Sequence, residues 1–392
     1  MAKRFAIAGI TLISGLMITQ TAQAQVGGGS TIDGKVGTIT TAVPFLRISP
    51  DARSGAMGDV GIALSPDANG QYWNVGKVAA SDKQAGLSVT YTPWLKELVP
   101  DVFLGYLAGY VKFGENNDQA ISASLRYFNL GNIDYRTDDN NPNGSGKPRE
   151  FAFDLGYSRK LSTDLSLGVA LRYINSNIAA GANDFTSYKP ANAFGADVGV
   201  YYSKTQEMEE DRSGTFSAGA VLSNVGSRIT YSQQQKDFLP ANLGIGAAYT
   251  YKIDHFNKIT GALDLNKSLV PAPVQKTDSD GNTVWDPQRD QSVISGMMSS
   301  FTKAPPGYGT TVSVGAEYLY QDQFAVRAGY FYENANDGNR QYLTVGLGVK
   351  YNVFGLNFSY LIPSGSSTAR NPLSNTLRFS LLFDFDSFTK KG

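Results

Sequence analysis

The residues that could carry out catalysis are few and poorly placed for it. The chain has one histidine, His255 in Asp254-His255-Phe256-Asn257, and no cysteine in 392 residues. A hydrolase needs a base within reach of its nucleophile. With one histidine in a short turn and no Gly-x-Ser-x-Gly, no catalytic residue is expected, and His255 reads as a solvated turn residue. The absence of cysteine excludes disulfides, thiolate metal sites and a lipoprotein anchor. Asp278-Ser279-Asp280-Gly281-Asn282 has the flavour of a calcium loop, but its twelfth position is Arg289 where a bidentate Glu is required. Asp138-Asp139-Asn140-Asn141 and the acidic run Glu207–Asp211 read, like it, as solvated turns. No metal site and no cofactor are expected. Lys plus Arg equals Asp plus Glu, at 34 each, so nothing argues for a nucleic-acid partner.

The informative charges sit in alternating runs. Leu377, Phe379, Leu381, Phe383 and Phe385 share one face of the last run, while Arg378, Ser380, Asp384 and Asp386 share the other with Leu382. Leu343, Val345, Leu347, Val349 and Tyr351 oppose Thr344, Gly346, Gly348 and Lys350 in the same way. A period of two with this contrast means a strand whose faces meet different solvents. A charge facing lipid would cost about 2–4 kcal/mol at the bilayer midplane. Arg126, Arg172, Asp154, Asp197, Glu317, Arg327, Lys350 and Arg378 are therefore expected to point into a lumen and pair there, filling it. A selectivity filter is the alternative use of such charges.

The elements that would position these charges form an all-β outer-membrane barrel. Charged residues are 17% of the chain and aromatics 12%, with mean hydropathy −0.22. Few charges, many aromatics and middling hydropathy suit a barrel with one apolar and one polar face. About fourteen antiparallel strands are expected, near 85–92, 102–113, 119–129, 150–160, 164–175, 192–204, 215–224, 243–251, 258–267, 310–320, 323–332, 343–351, 354–361 and 377–385. Many end in Tyr, as interfacial girdles do. Links after even-numbered strands are short, except Lys204–Gly214, and those after odd-numbered strands are mostly longer. That alternation separates periplasmic turns from extracellular loops. Residues 1–24 read as a signal peptide, with Lys3 and Arg4, the apolar stretch Phe5–Ile18 and Ala22-Gln23-Ala24. The alternative, an N-terminal membrane anchor, needs about 20 apolar residues.

Residues 25–84 are expected to form an N-terminal extension and plug ahead of a barrel over 85–392. Within 43–80, Ser49-Pro50-Asp51 can open a short helix over Ala52–Met57, and Ser65-Pro66-Asp67 another toward Tyr72. So small a segment needs a larger body to dock on, and the lumen is the available place. Arg47, Asp51, Arg53 and Asp59 can supply partners for the lumenal charges.

Phe45-Leu46-Arg47-Ile48, Pro50-Asp51-Ala52-Arg53-Ser54-Gly55-Ala56-Met57-Gly58-Asp59 and Ser65-Pro66-Asp67-Ala68-Asn69 closely resemble the N-terminal signature of the PorV family, outer-membrane barrels of the Bacteroidetes type IX secretion system. The wider group is FadL-like, fourteen-stranded, with an N-terminal hatch. Its Trp-Asn turn matches Trp73-Asn74, although Asn74-Val75-Gly76-Lys77 departs from the usual Asn-Pro-Ala. The resemblance implies hatch residues Phe45, Arg47, Asp51, Arg53, Met57, Asp59, Trp73 and Asn74 and a non-enzymatic role. Such proteins bind a large outer-membrane translocon barrel and collect cargo proteins through their secretion C-terminal domain. They deliver the cargo to the cell-surface attachment complex. The alternative is a FadL-like outer-membrane transporter of hydrophobic small molecules.

The loop Ser268–Gly309 exceeds the usual connection several-fold, and loops of that length are commonly functional or disordered. It holds Trp285 and an apolar cluster of Val293, Ile294, Met297, Met298 and Phe301. Val293, Met297 and Phe301 lie four apart with Ile294 and Met298 beside them, which predicts a short helix with one apolar face. Such a helix either folds over the barrel mouth as a lid or is offered to a partner; Met favours adaptable binding surfaces.

Overall fold

The computed structural model describes residues 41–94, 101–136, 139–178, 180, 189–232, 235–277, 283–286, 288–334, 337–364 and 376–386. The expected signal peptide, Asp138 and Asp278–Asn282 lie outside the described residues.

Fourteen antiparallel strands close into one barrel. They are β1 (Ala85–Pro93), β2 (Phe103–Phe113), β3 (Gln119–Asn129), β4 (Arg149–Lys160), β5 (Leu165–Asn177), β6 (Ala191–Glu207), β7 (Ser213–Gly226), β8 (Asn242–Lys252), β9 (Asn257–Ser268), β10 (Thr310–Tyr320), β11 (Phe324–Glu333), β12 (Gln341–Tyr351), β13 (Phe354–Pro363) and β14 (Leu377–Phe385). Closure comes from β14 pairing with β1, Ala85 opposite Phe385 and Tyr91 opposite Phe379. A closed ladder leaves no strand edge, the condition for crossing a bilayer with strands. Burial alternates along the strands as the residue pattern predicts: Leu171 and Leu347 on the outer face are 69% and 58% exposed, while Arg172 between such neighbours is buried. The outer apolar side chains are those an outer-membrane barrel turns to lipid.

The link after β6 is shorter than the sequence predicted. β6 runs to Glu207 and pairs through to Ser213 of β7, so the turn is residues 208–212 rather than Lys204–Gly214. Polar residues at 203–207 hide this extension, because a strand end outside the apolar band needs no alternation. All six even links are then short, and the long loops collect at the opposite rim. Three long loops carry small hairpins, Ile133–Arg136 with Pro142–Gly146, Ile229–Ser232 with Gln235–Asp237, and Val274–Thr277 with Thr283–Asp286.

Residues 41–80 contain two short α-helices, α1 (Ala52–Gly55) and α2 (Gly70–Trp73), and 3₁₀ turns at Pro44–Arg47 and Val75–Ala80. α1 is capped by Asp51, which accepts from Ser54 N at 2.8 Å. It stops at Gly55 rather than Met57, because Gly58 and Asp59 adopt left-handed φ of 72° and 61° and turn the chain away. The second helix begins only at Gly70, since Asp67 accepts from Asn69 N in a turn that delays it. The segment packs against inward-facing strand residues, and glycine lets it come close. A Cβ on Gly168 of β5 would lie 2.7 Å from Val75 backbone, and one on Gly58 would lie 2.6 Å from the Tyr330 backbone.

Candidate functional site

The lumen is organised by ion pairs between inward-facing residues of neighbouring or next-but-one strands. Arg126 (β3), Asp154 (β4), Arg172 (β5) and Asp197 (β6) form a buried chain. Arg126 donates to Asp154 at 3.3 Å, Arg172 Nε donates to Asp154, and Arg172 Nη2 donates to Asp197 at 2.8 Å. Asp197 also accepts from Asn224 N at 2.7 Å. Across the barrel, Glu317 (β10) accepts from Arg327 (β11) at 2.6 Å, and Arg327 reaches Asn357 at 2.9 Å. Lys350 and Asp384 pair at 2.5 Å nearer the short-turn rim. Inside so confined a space an unpaired charge would be costly, and alternation along adjacent strands brings opposite signs opposite each other.

The N-terminal segment joins this network at some of the expected places. Arg53 donates to Glu317 at 3.1 and 3.3 Å and to Asp67 at 3.3 Å. Asp59 lies 3.7 Å from Arg378 and accepts from Tyr342 at 2.5 Å. Phe45 stacks on Phe128 with ring centres 6.1 Å apart, and Met57 lies against Gly315 and Gly329. Asn74 donates to Val200 O at 3.0 Å and caps the following turn by accepting from Gly76 N. Two residues expected to pair with strand charges do otherwise. Asp51 is used within the segment, by Ser54 N and by Trp73 Nε1 at 2.6 Å, because capping α1 turns it inward. Arg47 has no ion pair among the described residues; the acceptor that meets Arg126 there is Leu46 O, at 2.9 Å.

Other contacts carry weight that the residue pattern did not single out. Asp264 (β9) accepts from Gly61 N at 2.7 Å and Ile62 N at 2.9 Å, clamping a turn of the segment. Its alternation with Ala262 and Thr260 is the same signal that marked the other lumenal charges. Lys77 is buried, donating to Gly61 O at 2.6 Å, and burial pushes its amine down to about 8. Nothing in the local sequence marks Lys77, which sits among small residues. At the long-loop end Arg340 donates twice to Glu333, at 2.7 Å each.

The helix expected in Ser268–Gly309 is α3 (Val293–Thr302), capped by Ser292 accepting from Ser295 N. Its buried side is the small one, Gly296, Ser299 and Ser300, with Gly296 close to Pro271 and Phe238. The opposite side bears Ile294, Met298 and Phe301, exposed by 75%, 60% and 55%. Val293 and Met297 are half-buried at its flank, so the outward stripe runs 294–298–301 rather than 293–297–301. Trp285 belongs to the strand Thr283–Asp286, and its side chain lies outside the described residues. His255 is at a short turn, 2.8 Å from Asp211 of the neighbouring one.

Between the N-terminal segment and the long-loop half of the wall is a polar cavity of about 90 Å³, lined by Arg47, Arg126, Arg172, Arg340, Asp59 and Asp197 among others.

Several solved barrels are similar to this chain. The toluene transporter TodX of Pseudomonas putida is 12% identical with TM-score 0.49, over 86% of this chain and 98% of that one. The toluene transporter TbuX of Ralstonia pickettii is 11% identical with TM-score 0.47, with the same coverage. A FadL homologue of Pseudomonas aeruginosa is 11% identical with TM-score 0.42, again over 86% and 98%. No curated protein sequence matches. The family model of the type IX secretion system protein PorV matches residues 32–275, well over half the chain. Those residues include the N-terminal signature and the first nine barrel strands, and the chain belongs to the PorV family of type IX secretion system proteins.

Proposed function

We propose that this outer-membrane-type barrel is a non-enzymatic partner-binding subunit of the secretion system. It binds the large translocon barrel, receives cargo through the secretion C-terminal domain and passes it to the cell-surface attachment complex. Residues 43–80 act as its plug. The observation that carries this reading is the outward apolar stripe Ile294–Met298–Phe301 on α3, displayed at the long-loop rim while the small face of the helix is the one that docks. Exposed apolar side chains rimmed by polar ones mark protein–protein surfaces. The alternative, transport of hydrophobic small molecules, needs an apolar pocket of roughly 300–1,000 Å³. The cavity between the N-terminal segment and the wall is smaller and largely polar, at about 90 Å³. A mild-detergent pull-down with mass spectrometry tests the proposal. Recovery of a very large barrel protein or of cargo supports it; recovery of the chain alone, holding lipid or detergent in its lumen, overturns it.

A further inference from the structure

We propose that the lumenal cavity binds one oxyanion group, a phosphate or a sulfate, with Arg47 as its main ligand. Five guanidiniums line or back the cavity: Arg47, Arg126, Arg172, Arg340 and Arg378. They face four carboxylates, Asp59, Asp154, Asp197 and Glu333, which leaves one positive charge over. That charge is Arg47. The carboxylates of the group have other partners: Asp154 has Arg126 and Arg172, Asp197 has Arg172 and Asn224, Glu333 has Arg340, and Asp59 has Tyr342 on one oxygen and Arg378 at 3.7 Å from the other, which accepts no hydrogen bond among the described residues. Arg47 has no hydrogen-bond or ion-pair partner among the described residues. Burial, and then the like charge of Arg340, hold its guanidinium below its ordinary pKa, so an arriving anion would relieve both. Arg126, fully buried, adds positive charge to the cavity wall, with Nη1 donating to Leu46 O and Nη2 to Asp154.

Size narrows the ligand. A cavity of about 90 Å³ holds several waters, enough for a tetrahedral oxyanion, and falls well short of the roughly 300–1,000 Å³ of a drug-sized site. Guanidinium forks suit phosphate and sulfate oxygens. The cavity wall includes Asn224, Asn242 and Thr311, at the long-loop ends of their strands, and Arg340 just ahead of β12. The anion is therefore either free or the phosphate-bearing end of a larger molecule entering from that rim.

The test is calorimetry and thermal unfolding of the full-length barrel in detergent, titrated with inorganic phosphate or sulfate against sodium chloride at matched ionic strength. Saturable binding with a raised unfolding midpoint is expected. Arg47→Gln should weaken affinity by roughly tenfold or more while the barrel stays heat-modifiable, because removing Arg47 orphans no carboxylate. Ser313→Asp, which adds an anion to the wall, is the second variant and should abolish binding. No saturable binding in the wild type, or unchanged affinity in a folded variant, overturns the proposal. Glucose 1-phosphate separates the sources: binding within a few-fold of inorganic phosphate assigns the site to an esterified phosphate, and its rejection assigns the site to the free ion.

Discussion

Glu317 answers two guanidiniums, one from the wall and one from the N-terminal segment. Arg327 reaches it along the sheet at 2.6 Å and Arg53 from within at 3.1 Å. Removing one partner of a buried ion pair typically costs about 3–5 kcal/mol, because the remaining charges stay buried and uncompensated. Glu317→Ala should therefore lower the heat-modification midpoint clearly, and Arg53→Ala in the same chain should add less than it does alone. Full additivity would separate the two contacts. Lys77 gives a pH-dependent prediction. Its amine titrates at about 8 when buried, against an ordinary value of 10.5. Between those values the unfolded chain holds more protons than the folded one, so stability rises with pH from about 8 to 10.5 and is flat in this term below 8. Lys77→Met should remove that rise from the unfolding midpoint measured across the window; an identical pH profile in both proteins would refute it. Glu317, Arg327 and Arg378 were legible in the sequence as charges interrupting an apolar alternation. Lys77 was not, because its neighbours are small residues in a 3₁₀ turn with no period to violate.

The strands were legible because their two faces meet different media. β14 is the clearest: Arg378 is buried and Phe379 beside it is 43% exposed. Single cysteines at 378 and 384 should resist lipid-soluble probes, while those at 379 and 383 react; the reverse pattern would shift the register by one residue. Glycine hid another part of the design. Gly168, Gly315 and Gly329 look like weak points in strands, yet each stands where the N-terminal segment presses on the wall. No property of a strand read by itself reveals that contact. The same limit applied to α3. Its apolar content predicted a helix, but which side docks depends on Phe238, in another long loop, and on Pro271, near the start of its own. Met298→Asp with Phe301→Asp should leave the barrel heat-modifiable. Burial of each such side chain in a complex contributes about 1.5–3 kcal/mol, so loss of both should weaken partner recovery by two orders of magnitude or more. Normal secretion and normal pull-down by a folded double variant would make α3 a lid only.

At the scale of the whole molecule, the barrel and its N-terminal segment complete each other's polar groups. The wall offers Asp264 to two backbone amides, Thr344 to Gly58 N at 2.8 Å and Ser380 to Ala52 N at 2.8 Å. The segment returns Leu46 O to Arg126 and Arg53 to Glu317. Such reciprocity means that neither part is satisfied alone, since buried groups without partners are expensive. The fourteen-stranded scaffold could be read from the sequence. The charged half of the reciprocity was read with it, at Arg53 and Asp59; the backbone half, such as Leu46 O to Arg126 and Gly61 N to Asp264, was not, because no side-chain pattern marks a main-chain group. Deleting residues 43–80 should therefore leave a barrel that inserts but has a hydrated lumen. We expect a higher single-channel conductance in planar bilayers and a lower heat-modification midpoint than in the intact chain. The two readouts answer different questions: conductance reports whether the segment fills the pore, and the midpoint reports whether its contacts stabilise the wall. A deletion variant that matches the intact protein in both would show that residues 43–80 do not plug the barrel, and that the inward charges of the strands are satisfied by water and by one another.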